Sequence, residues 1–225
     1  APPARPGSAT ASFTAEAWER AAPVRDAIDA LPLVRGLGDG SLTRDRFDYY
    51  MAQDALYLAE YGRALAGVAA LSDEPDEFVF WCDAAREAVV VERALHAAHV
   101  DPTAGADASP TCRAYTDFLR ARCALGSYGV AVAAVLPCFW IYQDVGAGMI
   151  ARAGDLGAHP YGDWIATYAD PGFERSTDRV RSIADRLARA AGDGERERMH
   201  ASFATACRHE WMFWDAAWRM ERSPV

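Results

Sequence analysis

The stretch Ala133-Ala134-Val135-Leu136-Pro137-Cys138-Phe139-Trp140-Ile141-Tyr142 is an apolar helical run that carries one cysteine and, four residues on, a phenol. On a helix that spacing puts Cys138 and Tyr142 on one face, a turn apart. A thiol beside a hydroxyl in aromatic surroundings is one way to tune a buried nucleophile. A free cysteine is also an ordinary small core residue, and this segment alone supports both readings.

Working outward, the pattern is helical almost throughout, and β-branched alternation is nearly absent. Breakers divide the chain into about seven or eight helical segments. A first helix is expected from Ser12 to Leu31, closed near Pro32, with Gly36-Leu37-Gly38-Asp39-Gly40 as a turn. Ser41 and Thr43 are candidate N-caps for a helix over 43–71. Further helices are expected over 75–99, from Ser109-Pro110 to Ala124, from Gly126-Ser127 through Cys138 to Ala153, and over 160–169, 172–191 and 194–221. No internal repeat and no second composition regime appears. The expectation is one all-α domain over 11–225, with 1–10 as a flexible N-terminal tail.

A chain of 225 residues can bury a full core. It is 51% hydrophobic and 24% charged, as a globular protein would be. Seven tryptophans point to a core or pocket lined by π-faces. The net charge is −9, there is no lysine, and the arginines are dispersed, which argues against binding nucleic acid or an anionic membrane. Five cysteines without a CxxC pair exclude a zinc ribbon and a thioredoxin-type motif, and reduced thiols are the expectation for a cytoplasmic protein. No apolar run is expected to reach the length of a membrane span. The opening residues lack the apolar core of a signal peptide.

Three constellations could carry chemistry. Tyr50, Asp54, Tyr57 and Tyr61 recur at helical spacing, which sets phenols around a carboxylate. Asp54 there either makes a buried structural hydrogen bond or binds a ligand. Cys207, Glu210, Phe213, Trp214 and Trp218 form a second stripe. A carboxyl among such rings has its pKa raised by desolvation, which suits proton transfer, unless an arginine pairs with it. His209 is about 100° round the helix from Glu210, so the two do not face one site. Glu92, His96 and His99 form the third group and have partial metal-site spacing. Gly36-x-Gly38-x-Gly40 lacks the strand and spacing of a dinucleotide fingerprint, and no Gly-x-Ser-x-Gly elbow occurs.

Taken in order, these segments resemble the TenA family, the thiaminase II or aminopyrimidine aminohydrolase proteins, from about Ser12 to Arg222. The landmarks are Gly38-Asp39-Gly40-Ser41-Leu42, Arg46-Phe47-Asp48-Tyr49-Tyr50, Gln53-Asp54-Ala55-Leu56-Tyr57-Leu58, and Ser109-Pro110-Thr111 with Tyr115. Leu136 to Tyr142, Trp164-Ile165-Ala166-Thr167-Tyr168 and Glu210-Trp211-Met212-Phe213-Trp214 complete the series. The resemblance implies an all-α bundle similar to haem oxygenase, a homotetramer, and no metal or organic cofactor. It implies hydrolysis of 4-amino-5-aminomethyl-2-methylpyrimidine, or of thiamin, to the hydroxymethyl pyrimidine of thiamin salvage. By position it implies Cys138 as nucleophile, Glu210 as proton donor and acceptor, and Tyr57 as support for the thiolate. Asp54 would hold the polar edge of the aminopyrimidine. Tyr115 would sit near the thiolate, Tyr142 and Tyr168 would line the ring, and Phe213 would be a stacking wall. Leu56 and the run Val89-Val90-Val91 depart from the family pattern and bear on substrate range. Two alternatives stay open on sequence: a metal-dependent oxidase on a similar bundle, and a non-catalytic pyrimidine-binding protein.

Overall fold

The computed structural model describes residues 11–99 and 107–223, with the backbone alone over 91–99. The run around Cys138 lies in the helix about which the others pack, α7 (Tyr128–Ala153), whose turns from Gly129 to Tyr142 are buried on every face. Ser127 caps its first turn, its side chain accepting from the Val130 amide at 3.2 Å. Gly154, at φ 68°, ends it in a conformation that side-chain-bearing residues rarely adopt. By length and composition α7 could cross a membrane, contrary to the sequence expectation, yet 83% of its apolar window is buried inside the bundle. A helix enclosed by neighbours has no polar face to keep.

Around α7 lie α4 (Arg44–Leu71), α6 (Pro110–Leu125), α9 (Pro171–Ala190) and α10 (Asp193–Arg219). The long α5 (Pro75–His99) packs along α4, and the short α8 (Gly162–Tyr168) packs on α7. Ser109 and Asp170 cap α6 and α9 as acceptors from the Cys112 and Gly172 amides, with proline in each first turn. The described residues contain no strand, so the fold class is all-α as expected.

The N-terminal region departs from the sequence reading. The single helix expected up to Leu31 is two, α1 (Phe13–Arg20) and α2 (Ala22–Asp29), joined at Ala21, with Pro23 in the first turn of α2. The glycine-rich segment expected as a turn is helical: α3 (Pro32–Asp39) begins at a proline and ends at Gly40, which has φ 78°. Its glycines are there for close approach. A Cβ on Gly36 would stand 3.1 Å from the Leu42 amide nitrogen, and one on Gly38 would stand 3.3 Å from Met149. The expected tail lies outside the described residues, as do the side chains of Glu92, His96, His99 and Val91. Among the described residues no cluster could hold a metal ion.

Two networks fix α5 and α9 beside α7. The buried Glu77 accepts from Arg186 at 2.9 and 2.5 Å and from the Tyr128 hydroxyl at 2.7 Å, and that hydroxyl accepts from Trp81 Nε1 at 2.8 Å. On the other side Trp18 stacks on Trp140 at 3.9 Å, with Arg25 over the first ring and Arg181 over the second. The stack covers two large rings with guanidinium planes and joins α1, α2, α7 and α9.

Gly146 sets how closely α8 approaches α7. A Cβ at this position would lie 2.9 Å from the Tyr168 carbonyl carbon and 3.0 Å from its oxygen, both backbone atoms that cannot swing away. Gly146→Ala is expected to lower stability by about 1–3 kcal/mol through overpacking. Gly148→Ala, whose Cβ meets only the flexible end of Arg152 at 3.6 Å, is expected to raise it by up to about 1 kcal/mol through helix propensity. Denaturant midpoints of the two variants check the contrast.

Candidate active site

The helices enclose a cavity of about 680 Å³. Five helices supply its walls. α4 contributes Asp54, Tyr57 and Tyr61; α7 contributes Cys138, Phe139 and Tyr142. α5 faces them with Phe80, Asp83 and Glu87, and the α8–α9 junction closes the space with Tyr168, Asp170 and Phe173. The stripe from Asp54 to Tyr61 therefore meets the stripe from Cys138 to Tyr142 across one space, as their spacing on two separate helices allows but does not require.

Cys138 is the one cysteine on this lining among the described residues. Burial pushes its thiol well above the usual range, and the nearby Glu210 and Asp54 carboxyls add to the effect. The hydroxyls of Tyr57 and Tyr61 act the other way and favour the thiolate. At rest the sulfur is a neutral thiol, with phenols placed to receive its charge when it ionises. Cys112 and Cys123, buried elsewhere, are pushed up to about 12 by burial and do not reach the cavity.

The phenols are held in a definite order. Tyr61 donates to the Val135 carbonyl at 2.8 Å, in the α7 turn that precedes the thiol. Tyr142 accepts from Trp214 Nε1 at 3.1 Å and from Tyr50 at 3.4 Å, which occupies its oxygen as an acceptor and leaves its proton to donate toward the cavity. The buried Tyr57 hydroxyl borders the cavity between Cys138 and Tyr115 and bears on both.

Glu210, on α10, is 1% exposed. Burial pushes its carboxyl up to about 8; the hydrogen bond from Tyr115, at 2.6 Å, lowers it and the Asp54 carboxylate raises it. No arginine pairs with it among the described residues, so the inert alternative weighed from sequence is absent. At neutral pH this carboxyl holds a proton, and a nearby base can take it.

Not every expected site residue reaches the cavity surface. Asp54, Tyr57, Cys138, Tyr142 and Tyr168 line it. Tyr115, Glu210 and Phe213 stand one layer behind, covered by the Tyr57 ring, whose centroid is 5.0 Å from that of Tyr115 and 5.4 Å from that of Phe213. Phe213 therefore supports the wall and is not its face. α6 is set at this depth by Gln53, which accepts from the Ser109 amide at 2.8 Å and donates to the Asp107 carbonyl at 3.1 Å. His209 turns away from Glu210, as its helical position requires, and stacks on the outer face of Tyr115 at 5.0 Å.

The sequence reading passed over Phe139, Tyr61 as a wall residue, and the whole α5 contribution. Phe80, Asp83 or Ala84, and Glu87 or Ala88 recur at helical spacing, which is a legible stripe. Along the chain it has the pattern of a solvated face; the packing of α8 and α9 opposite it makes it a wall. Leu56 is half-buried and off the lining, whereas Ala88, next to the noted valines, is on it. Val89 fills the notch beside Gly62, where a Cβ would come within 2.7 Å of its Cγ2.

Comparison with known proteins gives the family and the fold. Residues 18–220 match the TENA/THI-4/PQQC family. The chain is 39% identical, over 92% of its length, to the thiamine biosynthesis multifunctional protein ThiED of Corynebacterium efficiens, but spans only 28% of that protein. It is 32% identical to an aminopyrimidine aminohydrolase of Halalkalibacterium halodurans, covering 92% of this chain and 96% of that one. The structure superimposes on a TenA homologue from P. horikoshii OT3 with a TM-score of 0.83 and 25% identity, covering 93% and 99% of the two chains. A domain with a heme oxygenase-like fold from Shewanella denitrificans, 14% identical and covering 92% of each chain, superimposes with a TM-score of 0.74, so the bundle has that fold. On a family match that takes in all ten helices but the first residues of α1, the chain belongs to the TENA/THI-4/PQQC family.

Proposed function

We propose that this chain is an aminopyrimidine hydrolase of thiamin salvage, which replaces the substituent on the pyrimidine methylene by hydroxyl through covalent catalysis by Cys138. The observation that carries the reading is the convergence of Cys138, Asp54, Tyr57 and Tyr142 on one cavity, with the protonated Glu210 behind it. The curated relatives named aminopyrimidine aminohydrolase support the substrate class. The substrates in view are 4-amino-5-aminomethyl-2-methylpyrimidine and thiamin.

In the proposed reaction Asp54 accepts hydrogen bonds from the aminopyrimidine edge, and the Tyr142 and Tyr168 rings flank the heterocycle. The sulfur of Cys138 adds to a ring carbon, and its proton passes to a neighbouring carboxylate. Glu210 delivers a proton toward the ring nitrogen that collects the electron pair, so the adduct forms without a free anion. The Tyr57 hydroxyl is placed to hydrogen-bond to the sulfur while it is charged. The C–N bond to the leaving group then breaks as the ring electrons return, water adds at the methylene carbon, and the thiolate leaves and is reprotonated. Splitting one displacement into addition and elimination steps lowers the highest barrier. The homotetramer and the cytoplasmic setting that the family implies belong to the same proposal.

Cys138→Ala is expected to remove turnover of the aminomethyl pyrimidine by at least about 10³-fold while leaving the fold intact, read by product chromatography and circular dichroism. Near-normal turnover would reject the covalent route. Cys112→Ala, away from the cavity, serves as the control. For Glu210 the active form as donor is the acid, present below about 8. Turnover should therefore fall as pH rises through about 8. Glu210→Gln should cost about 10²–10⁴-fold and flatten that limb in the residual rate. A limb that persists in Glu210→Gln assigns it to another group.

A further inference from the structure

Glu210 stands off the cavity surface, and its one hydrogen bond among the described residues comes from Tyr115, at 2.6 Å to Oε1. Whatever fixes the Tyr115 ring therefore fixes the acid. Tyr115 is 1% exposed and lies between two rings. On the cavity side is Tyr57, at 5.0 Å and 32°. On the other side is His209, also at 5.0 Å but nearly parallel, at 6°. The edge of His209 borders a separate groove with Val24, Trp211 and Met212, away from the substrate cavity. His209 and Glu210 are consecutive on α10, so they leave the helix about 100° apart. α10 thus reaches Tyr115 twice, with a carboxyl oxygen at its hydroxyl and with a ring at its face. Phe118, three residues on from Tyr115 along α6, meets the same imidazole at 5.2 Å. The buried Nδ1 of His209 has no hydrogen-bond partner among the described residues, so this nitrogen ties the ring to nothing. What the side chain supplies is a flat face.

We infer that His209 is a positioning residue for Glu210: with Tyr57 it clamps the Tyr115 ring between two faces and so aims the Tyr115 hydroxyl at Oε1 of the acid. Its bearing on turnover rests on the hydrolase reading above. The physics is offset stacking of flat rings, which fixes the plane of a phenol whose hydroxyl then has one direction to point. Burial and the adjacent Arg208 both lower the proton affinity of His209, so the ring is neutral at neutral pH. A second guanidinium, Arg122, lies over Phe118 at 5.2 Å. A neutral ring brings no charge of its own beside Glu210. With Tyr115 donating to Oε1, the acid proton of Glu210 sits on Oε2. The bond from Tyr115 also stabilises the carboxylate and lowers the proton affinity that burial raises. The groups that bear on Glu210 are Tyr115 on α6 and Asp54 on α4. A phenol free to tilt would loosen both the place of the carboxyl and its affinity for the proton.

The test uses the full chain and three substitutions. His209→Leu fills the space without a flat face, and His209→Phe keeps a face without the nitrogens. His200→Leu, on the same helix but against Phe13, shows what losing a buried histidine from α10 does by itself. The infrared carbonyl band of protonated Glu210, assigned by its loss in Glu210→Gln, is titrated in each chain. In His209→Leu its midpoint is expected to rise from about 8 by about 0.5–1 pH unit, because the carboxylate loses part of its hydrogen bond. His209→Phe should return the midpoint, and His200→Leu should leave it in place. With the aminomethyl pyrimidine, kcat is expected to fall about 3–10-fold in His209→Leu. KM should stay within about twofold, since His209 does not line the cavity. A midpoint unmoved in folded His209→Leu overturns the clamp. So does a shift that His209→Phe fails to reverse or that His200→Leu shares. His209→Ala takes the place of the leucine variant should that one not fold. If the wild type turns over neither the aminomethyl pyrimidine nor thiamin, the hydrolase reading fails, and the infrared midpoint still decides the role of His209.

Discussion

A thiol and two carboxyl groups are buried within one aromatic cluster at the centre of this bundle, and the arrangement around them follows from that constraint. Removing Glu210 and Cys138 from water favours their neutral forms. Packing each against plain hydrocarbon would fix them there. The structure surrounds them instead with hydroxyl-bearing rings: Tyr115 donates to Glu210, and Tyr57 and Tyr61 favour ionised Cys138. Phenols give aromatic packing and a proton in one side chain, so a buried core still holds polar groups that respond to charge. The same logic explains the ordering of Trp214, Tyr50 and Tyr142, where two donors converge on one oxygen and turn its proton toward the cavity.

That centre requires a rigid surround. α7 is enclosed along its middle turns and carries Cys138 and Tyr142 on one face. Glu77, Tyr128, Trp81 and Arg186 tie α5 and α9 to it with charge-assisted bonds centred on the buried Glu77 carboxylate. Gly146 and Gly62 bring α8 and α5 in at closer range than an added methyl group would allow. The cavity is what remains when these approaches are set: α4 and α7 supply the reactive inner end, and α5, α8 and α9 supply the charged outer end. Sites made between packed helices gain precision because each wall is held by interactions outside the site.

The structure also separates two layers that look equivalent along the chain. Tyr57 and Tyr115 are both phenols, and Cys138 and Glu210 both carry a titratable group, yet one of each pair faces the cavity and the other stands behind it. Glu210 therefore stands off the cavity surface with Tyr115 as its hydrogen-bonded contact, while Asp54 lines the cavity itself. Phe213 gives the Tyr57 ring a floor. This layering accounts for a carboxyl raised to about 8 beside a polar cavity: Glu210 is 1% exposed and off the cavity lining, so burial favours its neutral form.

Much of the architecture was legible in the residues. Helical spacing, proline and serine at helix starts, and the absence of alternating β-branched runs specify an all-α chain, because each is a local property of the backbone and its neighbours within a turn or two. The stripes through Asp54, Cys138 and Glu210 were visible for the same reason. The split of the first helix at Ala21 and the helical state of Pro32–Asp39 were not, since packing against α7 and α10 decides whether short glycine-bearing segments stay helical. Nor could spacing reveal that Asp83, Glu87 and Asp170 share a mouth, or that Tyr57 covers Phe213. Those facts depend on which faces of separate helices meet, and distance between helices is set by side-chain volumes far apart in the chain. Residue order specifies the helices and the chemical groups each carries; packing between helices selects which of those groups share a cavity and which stand behind its wall.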